Sequence, residues 1–281
     1  MAGNSKQWSS ATPGLLIILI DKSGSMKLPY DGNDSRTVFA TRVINRVIND
    51  IIEKNFNGTV PKNRCFISVI SYCHEIKEEC SGYLKDLYEN PLRIETVEKK
   101  VSDGAGGLVT VQKQMPIWVN PTNSDTWTDM RGALKMAKKL AENWIEDKPN
   151  NPAPVILNIS DGVPYYDHKS EEECMDETKS IAKEIMSLSN EDGNVIIFNA
   201  EIGDDGNRVI MPNDEDINSA NSAAKFLYDI SSVVPKGYLD AAVKNELQIK
   251  PGSKGCVFHA DAEYLIKLID FGSSKGLSDN K

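Results

Sequence analysis

The sequence predicts an α/β protein with a doubly wound, mostly parallel central sheet, one short antiparallel edge strand, and helices on both faces. Short apolar runs alternate along the chain with amphipathic segments of helical spacing, as in proteins built from strand–helix–strand units. Two of these runs, residues 15–20 and 155–160, each end in an aspartate and a glycine-containing loop. Such repeated strand ends predict a ligand site at one edge of the sheet.

Length and composition constrain the domain organisation and the cysteine chemistry of the chain. The chain has 281 residues, 40% of them hydrophobic, which is enough for one large core or two small ones. Because the sequence has no internal repeat and no linker long enough to divide it, we predict a polar tail at 1–14, a single domain at 15–271 with insertions at about 81–120 and 204–254, and a polar tail at 272–281. Five cysteines without a C-x-x-C pair argue against a disulfide framework or a zinc knuckle.

Charge and hydropathy exclude some partners. A formal net charge of -9 argues against a nucleic-acid surface. The acidic balance suits cation binding, and it is equally explained by solubility alone. No signal-peptide pattern and no apolar run of membrane-spanning length is found in the sequence. We expect a cytoplasmic protein that binds neither nucleic acid nor membrane.

The elements follow in order. After the strand at 15–20, Ser35 is predicted to cap a helix whose apolar residues from Ala40 to Ile52 share one face. The remaining predicted elements are a strand at 65–70, a short edge strand at 76–80, a helix around 94–101, a strand at 115–119, a helix at 129–147, a strand at 155–160, a helix from 170 to about 190, a strand at 194–202, helices at 219–229 and 236–247, a strand at 256–260 and a closing helix at 261–271.

Oxygen-bearing side chains gather where these strands end. Asp21, Ser23 and Ser25 occupy alternate positions after the first strand, and Asp161 follows the strand at 155–160. Thr128 lies just before the helix at 129–147, where the simplest interpretation is that it is only the N-cap. Oxygen donors at the carboxyl ends of buried strands suggest a site for a hard cation.

These residues resemble a known motif. D-x-S-x-S at 21–25, Thr128 before an amphipathic helix, and S-D-G at 160–162 are similar to the metal-ion-dependent adhesion site of von Willebrand factor A domains. The resemblance covers roughly 15–271. Three stretches, PVILNISDGVP, NVIIFNAEIG and GCVFHADAEYLIKLIDFG, resemble the cytosolic bacterial branch associated with tellurite resistance and kinase–phosphatase systems.

The resemblance implies a function. Ser23, Ser25 and Thr128 would supply hydroxyl oxygens to Mg²⁺ or Mn²⁺, and Asp21 and Asp161 would bind it directly or through water. An Asp or Glu of a partner protein, such as a kinase, phosphatase or ATPase of the same system, would complete the shell. The chain would then be a non-enzymatic adaptor in a bacterial stress, defence or signalling assembly.

Residues flanking the ligands are expected to form a partner-binding rim, because exposed aromatic side chains are favoured binding anchors. The alternative is that the aromatic members only pack the loops together. The predicted rim consists of Met26, Lys27, Tyr30, Trp127, Tyr165 and Tyr166.

Two other functions stay open. A Mg²⁺-dependent phosphohydrolase could use Asp21 as nucleophile, but it would need a second aspartate two residues later, where this chain has Ser23. A structural subunit with a vestigial metal site is the other possibility. Metal binding and phosphate-ester turnover distinguish the three.

Overall fold

The computed structural model describes residues 3–32, 34–102, 107–203, 208–218, 220–244 and 246–274. The strands are β1 (Gly14–Asp21), β2 (Pro29–Asp31), β3 (Asp34–Ser35), β4 (Phe56–Asn57), β5 (Val60–Pro61), β6 (Cys65–Tyr72), β7 (Ile76–Tyr83), β8 (Arg93–Ser102), β9 (Leu108–Ile117), β10 (Val155–Ser160), β11 (Ile196–Glu201), β12 (Val209–Ile210) and β13 (Cys256–Phe258). The α-helices are α1 (Arg36–Lys54), α2 (Leu84–Glu89), α3 (Met130–Asp147), α4 (Glu171–Ser187), α5 (Asp214–Ile217), α6 (Ser222–Asp229), α7 (Leu239–Lys244) and α8 (Ala262–Ser274), with short 3₁₀ helices at Gly24–Lys27 and Lys236–Tyr238.

The central sheet has seven strands in the order β12-β13-β11-β10-β1-β6-β7. Its five inner strands run parallel, which confirms the predicted fold class. The expectation of one short antiparallel edge strand is wrong in detail. Antiparallel strands close both edges, β12 at one and β7 at the other, and β7 has eight residues.

Alternation along β1 divides the core into two layers. All eight residues of β1 are buried. Leu16, Ile18 and Ile20 pack against α1 and α8 on one face of the sheet. Leu15 and Leu19 lie on the opposite face with α3, α4 and α6. Helices on both faces explain why β1 is a continuous apolar run rather than an alternating one.

The reversal of strand order beside β1 positions the candidate site. The chain moves from β1 to β6 on one side, while β10 pairs with β1 on the other side. Ile20 is in register with Ile159, so Asp21 and Ser160 end their strands next to each other. Parallel strands thus bring the two aspartate-containing loops to a single edge, as predicted.

The predicted helix around 94–101 is wrong. This segment is β8, which pairs with β9 in an antiparallel hairpin from Arg93↔Ile117 to Ser102↔Leu108. Ile94, Val97 and Val101 have a helix-like spacing, but β-branched residues favour a strand once a partner strand is present. Residues 103–106, between the two strands, lie outside the described part of the chain.

Helix caps were mostly predictable. The Ser35 side chain accepts a hydrogen bond from the Val38 amide at the start of α1, which confirms the predicted cap. Ser170 and Glu173 form a capping box at the start of α4, where the sequence predicts a helix from 170. The interpretation of Thr128 as the N-cap of α3 is wrong, because Asp129 holds that position and accepts a hydrogen bond from the Gly132 amide.

The amino-terminal segment predicted as a tail packs on the domain. Trp8 is buried, and the Lys6 amide donates to the Asp192 carboxylate at 2.7 Å. The Asn4 side chain donates to the Asn194 carbonyl at 2.8 Å. Most of the predicted carboxyl-terminal tail, from residue 275, lies outside the described residues. No described helix is both long and apolar enough to cross a membrane.

Candidate metal centre

The D-x-S-x-S loop leaves β1 with its aspartate fully buried. One Asp21 carboxylate oxygen, Oδ1, accepts the Ser23 amide hydrogen at 2.8 Å. The other, Oδ2, accepts the Ser160 hydroxyl hydrogen at 2.8 Å. The loop after β1 and the end of β10 therefore hold the two oxygens in fixed directions.

The hydroxyl groups of Ser23 and Ser25 supply further oxygens in the same loop. The Ser23 and Ser25 hydroxyl oxygens are 3.3 Å apart, and the Ser25 hydroxyl donates to Asp161 Oδ1 at 2.9 Å. Ser23 is buried, whereas Ser25 is exposed. Ser23, Ser25 and Asp161 are thus connected through their side chains, and the Asp21 carboxylate joins them through the Ser23 backbone amide.

Thr128 reaches the same edge through its backbone. Its amide donates to the Tyr165 carbonyl at 2.7 Å, and the Tyr165 amide returns a hydrogen bond at 3.1 Å. Two residues earlier, the Thr126 carbonyl accepts the Gly24 amide hydrogen at 3.1 Å, which joins this loop to the D-x-S-x-S loop. Among the described residues, the Thr128 hydroxyl makes no hydrogen bond to the other four predicted ligands.

The oxygens fit a small hard cation. Mg²⁺ binds oxygen at ~2.0–2.1 Å in octahedral geometry, so neighbouring ligand oxygens lie about 3.0 Å apart. The spacings of 3.3 Å between the two serine oxygens and 2.9 Å between Ser25 and Asp161 are close to that value. No three His, Cys, Asp or Glu side chains form a metal-binding group within the described residues. Binding here would therefore depend on the hydroxyl oxygens.

Electrostatics also favour a cation at this edge. Burial raises the pKa of Asp21 from its ordinary 3.8 to about 7, and the negative charge of Asp161 adds to the rise. Hydrogen bonds from Ser23 and Ser160 oppose it. A buried carboxylate whose charge is so poorly compensated is stabilised by a divalent ion, which favours the ionised form.

A buried ion pair fixes the base of the loop. Lys22 Nζ lies 2.7 Å from Glu79 on β7, and the two side chains are only 5% and 4% exposed. Lys22 also donates to the Asn120 carbonyl at 2.8 Å, while Ser71 donates to Glu79 at 2.7 Å. Sequence reasoning missed this pair, since the two residues are 57 positions apart.

Sequence reasoning also missed Arg36. Its Nη1 lies 2.7 Å from Asp161 Oδ2, and both side chains are largely buried. A signal was available in the sequence, because Arg36 begins α1 directly after its cap. Positive charge is unfavourable at a helix N-terminus, so a basic residue there indicates some other role.

The predicted rim is only partly at the surface. Met26 and Tyr166 are buried, so their assignment to an exposed rim is wrong. Met26 packs in the core layer of α1. The Tyr166 hydroxyl donates to the Cys174 carbonyl at 3.2 Å, and the Arg131 guanidinium lies 4.3 Å from the centre of its ring.

The other four predicted rim residues retain some exposure. Lys27 pairs with Asp125 at the surface. Tyr30 is half-buried, and its hydroxyl donates to the Ala260 carbonyl at 2.8 Å. Tyr165 is 48% exposed and lies with the half-buried Trp127 along a surface cleft. The cleft is lined by His74, Asp125, Thr126, Trp127, Tyr165 and His168.

No protein-family model matches the sequence. No curated protein matches it either.

Solved structures show a distant likeness of the chain fold. The PilB minor pilin from Streptococcus sanguinis is 12% identical with a TM-score of 0.47, and the match covers 94% of this chain and 61% of the pilin. Proximal thread matrix protein 1 from the mussel byssus, solved with a zinc-occupied MIDAS motif, is 14% identical with a TM-score of 0.45 over 93% of this chain and 48% of that protein. BatB from Bacteroides thetaiotaomicron is 15% identical with a TM-score of 0.36, over 68% of this chain and 67% of BatB.

This chain therefore spans about half the length of the byssus protein and three fifths of the pilin.

Proposed function

We propose that this chain is a non-enzymatic, divalent-cation-dependent protein-binding module of the von Willebrand factor A type. Asp21, Ser23, Ser25, Thr128 and Asp161 would hold Mg²⁺ or Mn²⁺. The observation that carries the proposal is the meeting of three separate loops at one sheet edge, where the Ser25 hydroxyl oxygen lies 3.3 Å from that of Ser23 and 2.9 Å from Asp161 Oδ1, close to the spacing of neighbouring Mg²⁺ ligands.

The accessible side of the site supports a role in binding a partner. Ser25 is exposed, whereas Asp21 and Ser23 lie beneath the surface. Neutral hydroxyl ligands leave part of the charge of a divalent ion uncompensated, so an Asp or Glu carboxylate of a partner can replace a bound water. Trp127 and Tyr165 in the neighbouring cleft would contact the partner residues around that carboxylate.

Burial of Asp21 supports a binding role over a phosphohydrolase. A nucleophilic carboxylate must reach the phosphorus atom of its substrate, yet Asp21 is fully buried and both its oxygens accept hydrogen bonds. The position that would hold the general acid in such an enzyme is Ser23. A cytoplasmic setting and a place in a bacterial stress, defence or signalling assembly stay predictions.

Calorimetric titration with Mn²⁺ and Mg²⁺ tests the metal site. We expect one ion per chain, and at least tenfold weaker binding in Ser25→Ala and in Asp161→Asn. Asp125→Asn is the matched control, because Asp125 lies in a neighbouring loop with its side chain 84% exposed. A wild-type chain that binds neither ion would show that the site is vestigial.

Partner binding and turnover test the remaining parts. Proteins retained by the wild-type chain in Mg²⁺ should be released by EDTA and should not be retained by Asp21→Asn. Retention that is the same in EDTA would contradict the metal-bridge mechanism. A panel of phosphate esters with Mg²⁺ should show no turnover; turnover that disappears in Asp21→Asn would establish the phosphohydrolase instead.

A further inference from the structure

Arg36 brings a permanent positive charge to the candidate metal centre. Its guanidinium lies 2.7 Å from Asp161 Oδ2, with the Arg36 side chain 13% exposed and that of Asp161 5% exposed. The other oxygen of the same carboxylate accepts the Ser25 hydroxyl hydrogen. One oxygen of Asp161 is thus paired with Arg36, and the other accepts a hydrogen bond from Ser25, another predicted metal ligand.

The location of Arg36 is costly for the helix that carries it. Arg36 is the first residue of α1, where the partial positive charge of the helix N-terminus disfavours another cation. The helix cap is supplied by Ser35. Arg36 therefore contributes to the sheet edge rather than to the capping of α1.

Acidic groups surround this guanidinium from more than one element. Besides Asp161, Glu201 at the end of β11 interacts with Arg36. Burial raises the pKa of Glu201, and the hydrogen bond from the His259 amide and the positive charge of Arg36 oppose the rise. The His259 amide donates to Glu201 at 2.8 Å and its ring nitrogen Nδ1 lies 3.4 Å from that carboxylate. Glu201 thus also contacts His259, and Arg36 is a cation paired directly with the predicted ligand Asp161.

We propose that Arg36 is a specificity-determining residue that weakens metal binding and strengthens the binding of an external carboxylate to the loaded site. This inference depends on the proposed function. A fixed positive charge beside a divalent ion repels it, and it occupies one oxygen of a carboxylate that could otherwise bind the ion with both. The same charge makes the loaded site more positive by one unit, which attracts the carboxylate of the partner.

If Arg36 acts in this way, Arg36→Gln should change the affinities for Mn²⁺ and for a carboxylate in opposite directions. Mn²⁺ binding is measured by calorimetry, and acetate serves as the carboxylate probe. Acetate that replaces a Mn²⁺-bound water lowers the relaxation rate of bulk water protons. In Arg36→Gln, we expect Mn²⁺ to bind at least tenfold more tightly and acetate to bind the loaded site at least threefold more weakly.

Two variants control for structure and for net charge. Arg36→Lys keeps the charge, so both affinities should stay within threefold of wild type. Arg42→Gln removes one charge from the same helix, but Arg42 pairs with Asp34 and its side chain is 55% exposed, so neither affinity should change. Urea unfolding without metal establishes that each variant folds cooperatively.

The result that would overturn this inference is a folded Arg36→Gln whose Mn²⁺ affinity is unchanged or weaker than wild type. Weaker binding in both Arg36→Gln and Arg36→Lys would show that Arg36 only orients Asp161. In either case wild-type Mn²⁺ binding would remain, and the proposed function would stand. A wild-type chain without Mn²⁺ binding would overturn the proposed function and this inference together.

Discussion

Asp21→Asn should stabilise the metal-free protein and abolish its stabilisation by metal. The substitution removes a fully buried charge and keeps the shape of the side chain. The remaining oxygen can still accept the Ser23 amide hydrogen. The new amide can donate to the Ser160 hydroxyl, whose own hydrogen can turn toward the Gly162 carbonyl 3.4 Å away. The side-chain oxygen, one of the two amide hydrogens and the Ser160 hydroxyl would thus all have a partner.

The size of the effect follows from the pKa of Asp21. Each tenfold change in acid dissociation is worth ~1.4 kcal/mol, so a rise from 3.8 to about 7 costs the folded state about 4 kcal/mol once the carboxyl is ionised. Between those two pH values the folded chain binds more protons than the unfolded chain. The contribution of Asp21 to stability is therefore highest below pH 4 and decreases as the pH rises toward 7.

Urea denaturation in EDTA between pH 4 and pH 8, with and without Mg²⁺, measures the effect. At pH 8 in EDTA, we expect Asp21→Asn to have a free energy of unfolding up to about 4 kcal/mol above wild type, with a smaller pH dependence. Mg²⁺ should raise the stability of wild type only. The reasoning is refuted if Asp21→Asn is less stable than wild type in EDTA at pH 8, or if Mg²⁺ stabilises both equally.

Three further single substitutions and one double variant test the framework of the fold by urea denaturation. Glu79→Gln should lower the free energy of unfolding by roughly 3 kcal/mol, because it leaves the buried Lys22 charge unpaired. The double variant Lys22→Met, Glu79→Leu should lose less stability, because it removes both charges. An equal loss in the two variants would contradict a role for the unpaired charge. Ser170→Ala should cost about 1 kcal/mol through loss of the α4 capping box, without any change in Mn²⁺ affinity. Trp118→Ala should cost about 3–5 kcal/mol, since its ring is buried and its indole nitrogen donates to the Leu87 carbonyl at 2.8 Å; a loss below 1 kcal/mol would show that this contact contributes little.

The sequence was most informative where local pattern and tertiary environment agree. β1 and β10 are buried on both faces, so a continuous apolar run was enough to identify them. The amphipathic spacing of α1 likewise matches the face that it buries against the sheet. At β8 the two disagreed, because pairing with β9 outweighed a periodicity that suggested a helix.

The candidate site likewise has features that the sequence predicted and features that it did not. The positions of Asp21 and Asp161 after their strands were predictable, because each follows an apolar run and precedes a glycine-containing loop. Burial of the rim residues Met26 and Tyr166 was not predictable, because apolar and aromatic side chains occur both in cores and in surface binding sites. Tyr166 was assigned to the surface, but its hydroxyl and its ring have partners on α4 and α3.

The sequence by itself determined the types of element, the parallel sheet, and the strand ends at which oxygen donors occur. These features depend on local periodicity and on the rule that parallel strands share one carboxyl edge. Only the tertiary structure decided which charges meet there. Arg36 and Asp161 are 125 positions apart, and Lys22 and Glu79 are 57 apart. Such pairs form because packing of the whole sheet brings distant loops together, and no local pattern encodes that contact.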